Sequence, residues 1–213
     1  MSETIIEKTI YFVRHGQTNG NILDTIQDLT DTLSPAGEIQ AEKIAARAQN
    51  LEFEALLSSD AVRAKQTAAI IAKRTGHTVS HHDVFREIKR PSSFVGKLRL
   101  TDEFQNFDAE WRSHFDGSWR LEDEETQAEF LARAVAAVSL IEARPEKSML
   151  VVSHGYFLRS IAAYILSGKK ILPDTYPAIH AALIGENTGV TICRLSSSGH
   201  WRILSWNDHA HLG

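Results

Sequence analysis

A single cysteine, Cys193, in 213 residues rules out a disulfide within the chain and a thiolate metal cluster built from one chain. A reducing setting, the cytoplasm, is the expectation. No stretch reaches the roughly 18 uninterrupted apolar residues of a membrane-spanning helix, so no membrane is expected as a partner. The start of the chain, with Glu3, Glu7 and Lys8 ahead of a short apolar run, has neither the basic opening nor the long apolar stretch of a secretory signal. Basic excess is also missing. The 23 Lys and Arg face 27 Asp and Glu for a net charge of -4, and without a basic run nucleic acid is not an expected partner. A small phosphorylated molecule remains compatible, because a few local arginines override a weak global charge within a Debye length of ~8 Å.

What is present is an alternation of apolar runs and helical stripes. Ile10 to Val13 reads as a strand buried on both faces, followed by a polar loop from Gly16 to Gln27. Ser34-Pro35 starts a helix whose Ala41, Ile44 and Ala48 recur at helical spacing, with Leu51 continuing the stripe. Ala55 to Ser59 is a second strand. Asp60 is the expected cap of the helix carrying Ala64, Ala68 and Ile71, which Gly76 closes. Phe104, Phe107, Trp111 and Phe115 fall at intervals of three and four, a stripe that fills a core seam or stacks on substrate, the first being favoured. Glu122 to Glu125 reads as a solvated lead-in to a helix over Thr126 to Ile141.

Met149 to Val152 is a further strand backed by a helix from Gly155 to Leu166, and Val190 to Leu195 with Trp201 to Leu204 reads as an antiparallel edge pair. That pair either dimerises the protein or is covered by the tail Trp206 to Leu212, so a homodimer stays open. The order predicts an α/β fold, a three-layer α/β/α sandwich with a mainly parallel central sheet. Residues 1–213 are expected to form one domain with a lid-like insertion at about 88–125. If the first and the Met149 runs are neighbouring parallel strands, Arg14-His15-Gly16 and Ser153-His154-Gly155 meet at the carboxyl edge of the sheet, where such sheets expose a site.

Arg14-His15-Gly16-Gln17-Thr18 with Asn21, Ser58-Ser59-Asp60-Ala61-Val62-Arg63-Ala64 followed by Gln66-Thr67-Ala68, Glu87, and Ser153-His154-Gly155 stand in this order along the chain. Together they resemble the histidine phosphatase superfamily, also called the phosphoglycerate mutase-like family. The likeness spans nearly the whole chain, to Trp206-Asn207 and His211-Leu212. It implies phosphomonoester hydrolysis by a histidine acid phosphatase-type enzyme, through a phosphohistidine on His15. Arg14 and Arg63 would grip the equatorial phosphoryl oxygens with planar donor forks, Arg63 from the first turn of its helix. His154, best if protonated when the dianion is bound, would stabilise charge on the phosphoryl group, or else be a buried structural histidine.

By the same resemblance Glu87 is the general acid and base, although Arg86-Glu87-Ile88-Lys89-Arg90-Pro91 departs from the commoner pattern and leaves Asp83 and Glu103 in reserve. Gly16 is expected to let phosphate approach the backbone, with Gly155 at the second motif. Asn21 would hydrogen-bond the phosphoryl group, and Thr18 either does so or caps the local backbone. Lys89 and Arg90 read a second anionic group or pair with Glu122 to Glu125, the latter being preferred. His81-His82 and His209/His211 lack metal-ligand spacing, so no metal and no cofactor is expected. A cofactor-dependent phosphoglycerate mutase and a non-catalytic phospho-ligand binder are the alternatives.

Overall fold

The computed structural model describes residues 6–213, so Glu3 lies outside the described residues. The first apolar run is the heart of β1 (Ile6–Arg14), in which Ile10 and Phe12 enter one core and Tyr11 and Val13 pack toward the other. β4 (Ser148–Ser153) divides in the same way, Met149 and Val151 to the first side, Leu150 and Val152 to the second. This period-two split buries both faces of a central strand. β1 and β4 pair in parallel with Arg14 opposite Ser153, so both histidine motifs leave the sheet side by side.

β2 (Ala55–Ser59) and β3 (Val79–His82) extend the parallel part, while β5 (Val190–Ser196) and β6 (Trp201–Asp208) form the antiparallel edge pair. The order is β3-β2-β4-β1-β5-β6, and β5 alone among the described strands runs against the rest. Trp206 belongs to β6 itself rather than to a covering tail. The chain end is tied elsewhere, to α2 (Pro35–Ala48), through Arg47 on the Asp208 carboxylate at 2.6 Å and Lys43 on the Leu212 carbonyl at 2.8 Å.

α2 and α3 (Val62–Thr75) cover one face of the sheet; α5 (Gln127–Ala143) and α6 (Gly155–Leu166) cover the other, making the three-layer α/β/α sandwich. Ser34 caps α2 by accepting from the Gly37 amide at 3.1 Å, with Pro35 in its first turn. Asp60 does not cap α3: Ala61 occupies that position, and the Asp60 carboxylate is taken by Arg86, whose Nε donates to Oδ1 at 2.6 Å. A bidentate charged partner outcompetes a single amide for the same oxygens.

α4 (Asp102–Ser113) carries Phe104, Phe107 and Trp111 inward, while Phe115 lies beyond its end. The three are 3, 5 and 1 % exposed and pack on Phe94, Phe130 and Tyr156, so the stripe is core. Glu122 and Asp123 are exposed, as in a solvated lead-in, but Glu124 and Glu125 are not. Glu124 is fully buried, accepting from the Leu121 amide and, at 2.8 Å, from that of Glu122, and Glu125 accepts both nitrogens of the Arg133 fork at 2.6 Å. These carboxylates staple the loop shut. No helix among the described residues is long and apolar enough to cross a membrane.

Candidate active site

His15 follows directly on β1 and is 3 % exposed. Its Nδ1 lies 2.7 Å from the Gly16 carbonyl, which only accepts, so the ring proton sits on Nδ1 and the lone pair on Nε2. Arg63, the second residue of α3, donates its Nε–H to that lone pair at 3.2 Å and an Nη1–H to the Asp28 carbonyl. His154 stands just ahead of α6 and is fully buried, its ring centroid 5.1 Å from that of His15 and tilted by 59°. Its Nε2 lies 2.8 Å from Ser59 Oγ, and its Nδ1 has no hydrogen-bond partner.

Burial drives both imidazole pKa values well below the usual range, with Arg63 adding repulsion to each. Both rings are therefore neutral at pH 7 in the free protein. Burial also brings Arg14 down to about 10, against the opposite pull of Glu87 and Glu186, and lowers Arg63. Both guanidinium groups still carry their charge at neutral pH. Arg14 donates from Nη1 to the Gly185 carbonyl and keeps Nε unpartnered. A Cβ on Gly155 would stand 3.2 Å from that Nε, so the bare position gives the Arg14 side chain its room.

Close backbone packing by itself requires glycine at position 16. A Cβ there would sit 2.5 Å from the Gly37 carbonyl oxygen, and one on Gly37 would sit 1.9 Å from that of Gln17. Backbone packs on backbone at both positions, and the Gly16 amide donates to Thr67 Oγ1 at 3.1 Å. Thr18 takes the capping alternative: it caps α1 (Asn19–Ile22), donates to Gln27 Oε1 at 2.9 Å and is fully buried. Asn21 completes that box through Oδ1, accepts from Asn187 Nδ2 at 3.2 Å and lines the cavity.

Glu87 reaches the start of α6, where its carboxylate accepts from the amides of Tyr156 at 3.0 Å and Phe157 at 2.9 Å, and from that of Ile88 at 3.1 Å. It lines a chamber of about 540 Å³ together with Arg14, His15, Arg63, Asn21 and Gly155. A neighbouring cavity of about 400 Å³ shares Gln27, Arg63, Glu87, Ile88 and Arg90 with it and also reaches Asp83. Glu103 is instead paired with Lys97 at 3.1 Å on an exposed face. Lys89 pairs with Asp123 at 2.9 Å, as preferred, but Arg90 turns to Asp108 at 2.6 Å rather than to the acidic run.

Two contacts have no counterpart in the sequence reading. Asn187 Nδ2 donates to the His15 carbonyl at 2.9 Å, and the Thr188 amide donates to that of Arg14 at 3.0 Å. Thr188 does so at φ 59°, a costly conformation for a β-branched residue that clusters at functional sites. The polar turn before β5 carried no signal beyond loop composition. The assembled groups are an imidazole whose Nε2 lone pair accepts from Arg63, two cations and a carboxylate around one chamber, with the second neutral imidazole buried beside the first, a set suited to accepting and passing on a phosphoryl group.

A sequence model described as the histidine phosphatase superfamily (branch 1) matches residues 10–209. A probable phosphoglycerate mutase of Salmonella arizonae is 34% identical over 164 residues, 74% of each chain. Among solved structures, YhfR of Bacillus stearothermophilus superposes with a TM-score of 0.80 at 25% identity, covering 97% of this chain and 100% of its own. A mycobacterial glucosyl-3-phosphoglycerate phosphatase superposes with a TM-score of 0.74 at 25% identity, over 94% of this chain and 99% of its own. The chain belongs to the histidine phosphatase superfamily. Its general activity is the phosphomonoester hydrolysis of that family.

Proposed function

We propose that hydrolysis runs through a phosphohistidine on His15 Nε2, with Glu87 as general acid and then base, on a small phosphorylated substrate. The observation that carries this is the His15 tautomer: with Nδ1–H held by the Gly16 carbonyl, Nε2 offers its lone pair to a space bordered by Arg14, Arg63 and Glu87. Arg14 and Arg63 bind the equatorial oxygens, and phosphorus takes the place of the Arg63 N–H at that lone pair. The P–N bond forms as the P–O bond breaks, and the Glu87 carboxyl passes its proton to the departing alkoxide. Water then gives a proton to the Glu87 carboxylate and attacks phosphorus, releasing phosphate and restoring both groups. Residues 88–125 act as a lid-like insertion in a single domain, and the buried thiol of Cys193 suits a reducing, cytoplasmic setting.

The test is phosphate release from p-nitrophenyl phosphate. His15→Ala is expected to lose activity by at least about 10³-fold, as for removal of a nucleophile, and wild type denatured in alkali, where the phosphoramidate survives, to hold phosphate on one histidine. Equal rates in the two proteins would reject the assignment. The name borne by the 34% identical relative supports a second reading, a phosphoglycerate mutase with the same first half-reaction. That reading expects isomerised phosphoglycerate in place of free phosphate.

A further inference from the structure

Among the described residues none beyond Asn187 lines the catalytic chamber, yet the end of the chain is bonded to the turn that shapes it. That turn, residues 184–189, holds both residues of the first motif. The Gly185 carbonyl accepts from Arg14 Nη1, the Thr188 amide donates to the Arg14 carbonyl at 3.0 Å, and the Gly189 carbonyl accepts from the Arg14 amide at 3.3 Å. Asn187 Nδ2 donates to the His15 carbonyl at 2.9 Å. A shift of this turn therefore moves the guanidinium that grips phosphate.

The turn is tied from behind. Trp206 Nε1 donates to the Ile184 carbonyl at 2.6 Å, and Asn207 Oδ1 accepts from the Glu186 amide at 2.7 Å. His211, in the closing 3₁₀ turn (Ala210–Leu212), brings its Nε2 to 3.0 Å from Thr188 Oγ1. Arg47 of α2 sets the tautomer of that ring. Its Nη1 lies 3.3 Å from His211 Nδ1, and because a guanidinium only donates, Nδ1 carries the lone pair and Nε2 the proton. Thr188 is then the acceptor. Burial first, and Arg47 next, lower the His211 pKa to about 4 against the pull of Asp208, with His209 and Lys43 adding repulsion, so the ring keeps this form at neutral pH. Arg47 is itself anchored on Asp208 at 2.6 Å.

Thr188 has particular need of the bond. A β-branched residue at φ 59° sits in a costly region of backbone space and stays there only where its surroundings over-determine it. Here the amide is held by Arg14 on one side and the hydroxyl by His211 on the other, with the residue fully buried between them.

We infer that His211 is a positioning residue for the phosphate grip, holding through the Thr188 hydroxyl the turn that orients Arg14 and His15. The inference rests on the phosphatase reading above.

The test follows two readouts on the full chain at pH 7.5, well below the melting temperature of each variant: calorimetric binding of inorganic phosphate, and turnover of p-nitrophenyl phosphate. His211→Phe keeps a flat ring without its N–H. It is expected to weaken phosphate binding about tenfold and to lower kcat/KM at least as much, the effect of a misaligned charge-assisted contact. His211→Gln, whose amide supplies a donor for Thr188 and an acceptor for Arg47, should stay within about threefold of wild type. Thr188→Val keeps the branched shape, loses the hydroxyl and should match His211→Phe. The double variant should fall no more than about twofold below either, since both changes remove one bond. Phosphate binding within about twofold of wild type in His211→Phe and Thr188→Val overturns the role, however far the melting temperature drops. Losses that multiply in the double variant, or a wild type that binds no phosphate, overturn it too. Wild type that binds phosphate without hydrolysing p-nitrophenyl phosphate overturns the phosphatase reading instead, and phosphate binding by the variants still decides the role of His211.

Discussion

At the scale of single residues, Ser59 decides what His154 can do. Its Oγ accepts from the Ala61 amide at 3.2 Å and lies 2.8 Å from His154 Nε2, so the tautomer of His154 decides which of the two donates. When the hydroxyl donates, the His154 proton resides on Nδ1, the atom without a protein partner, from which it can be given to a phosphoryl oxygen as charge builds there. Ser59→Ala removes the hydroxyl and frees the ring to change tautomer. We expect kcat to fall about tenfold with KM nearly unchanged, since the tautomer matters most in the transition state, and Ser59→Thr to recover most of the rate. Nitrogen-15 chemical shifts of His154 should show Nδ1–H in wild type and a mixture in the alanine variant; an Nε2–H ring in wild type would contradict the assignment.

Between elements, the part most exposed to failure is the segment from β3 to Glu87, which has little regular structure of its own. Arg133 on α5 braces it by donating to the carbonyls of Val84 at 3.1 Å, Arg86 at 2.7 Å and Glu87 at 3.2 Å, while gripping the Glu125 carboxylate. Arg133→Gln should destabilise the protein by about 2–4 kcal/mol, because a half-buried carboxylate and three carbonyls lose their donor. If the brace also places Glu87, kcat falls more for an alkyl phosphate, whose leaving group needs a proton, than for p-nitrophenyl phosphate. An equal fall for both would confine Arg133 to stability. That brace was not legible in the sequence, since its partners lie 46 to 49 residues away. Legibility followed locality: Ser34-Pro35, Gly76 and the strand-end histidines signal through their neighbours. β3, with Val79 its single apolar residue, and α7 (Tyr176–Ala182), short and carrying Pro177, carry no such pattern, and Asp60 was misread because its real partner, Arg86, is 26 residues on.

Across the whole molecule, the buried histidines tie stability to pH. His15 and His154 are held neutral by burial, and His180, 2 % exposed beside Tyr156, is pushed down to about 3, burial again leading and Arg159 second. Each binds a proton near pH 6.5 once the chain unfolds but resists it while folded, so below that point the unfolded state takes up more protons and stability falls with pH. The contribution is fully present above about pH 6.5 and shrinks as pH drops toward the folded values, at up to about 1.4 kcal/mol per unit for each ring. Denaturant unfolding at pH 7.5 and 5.5 should therefore give a midpoint lowered by the equivalent of about 3–4 kcal/mol, with the slope on denaturant unchanged if the same surface is exposed. His180→Gln, which keeps a polar group against the Tyr156 carbonyl, should flatten about a quarter of that dependence, which His211, pushed down to about 4 chiefly by burial, also shares, even if the change lowers stability at pH 7.5. A midpoint independent of pH over this range would mean that the three rings are protonated within the fold, and the neutral His154 on which the phosphoryl contact depends would have to be given up with them.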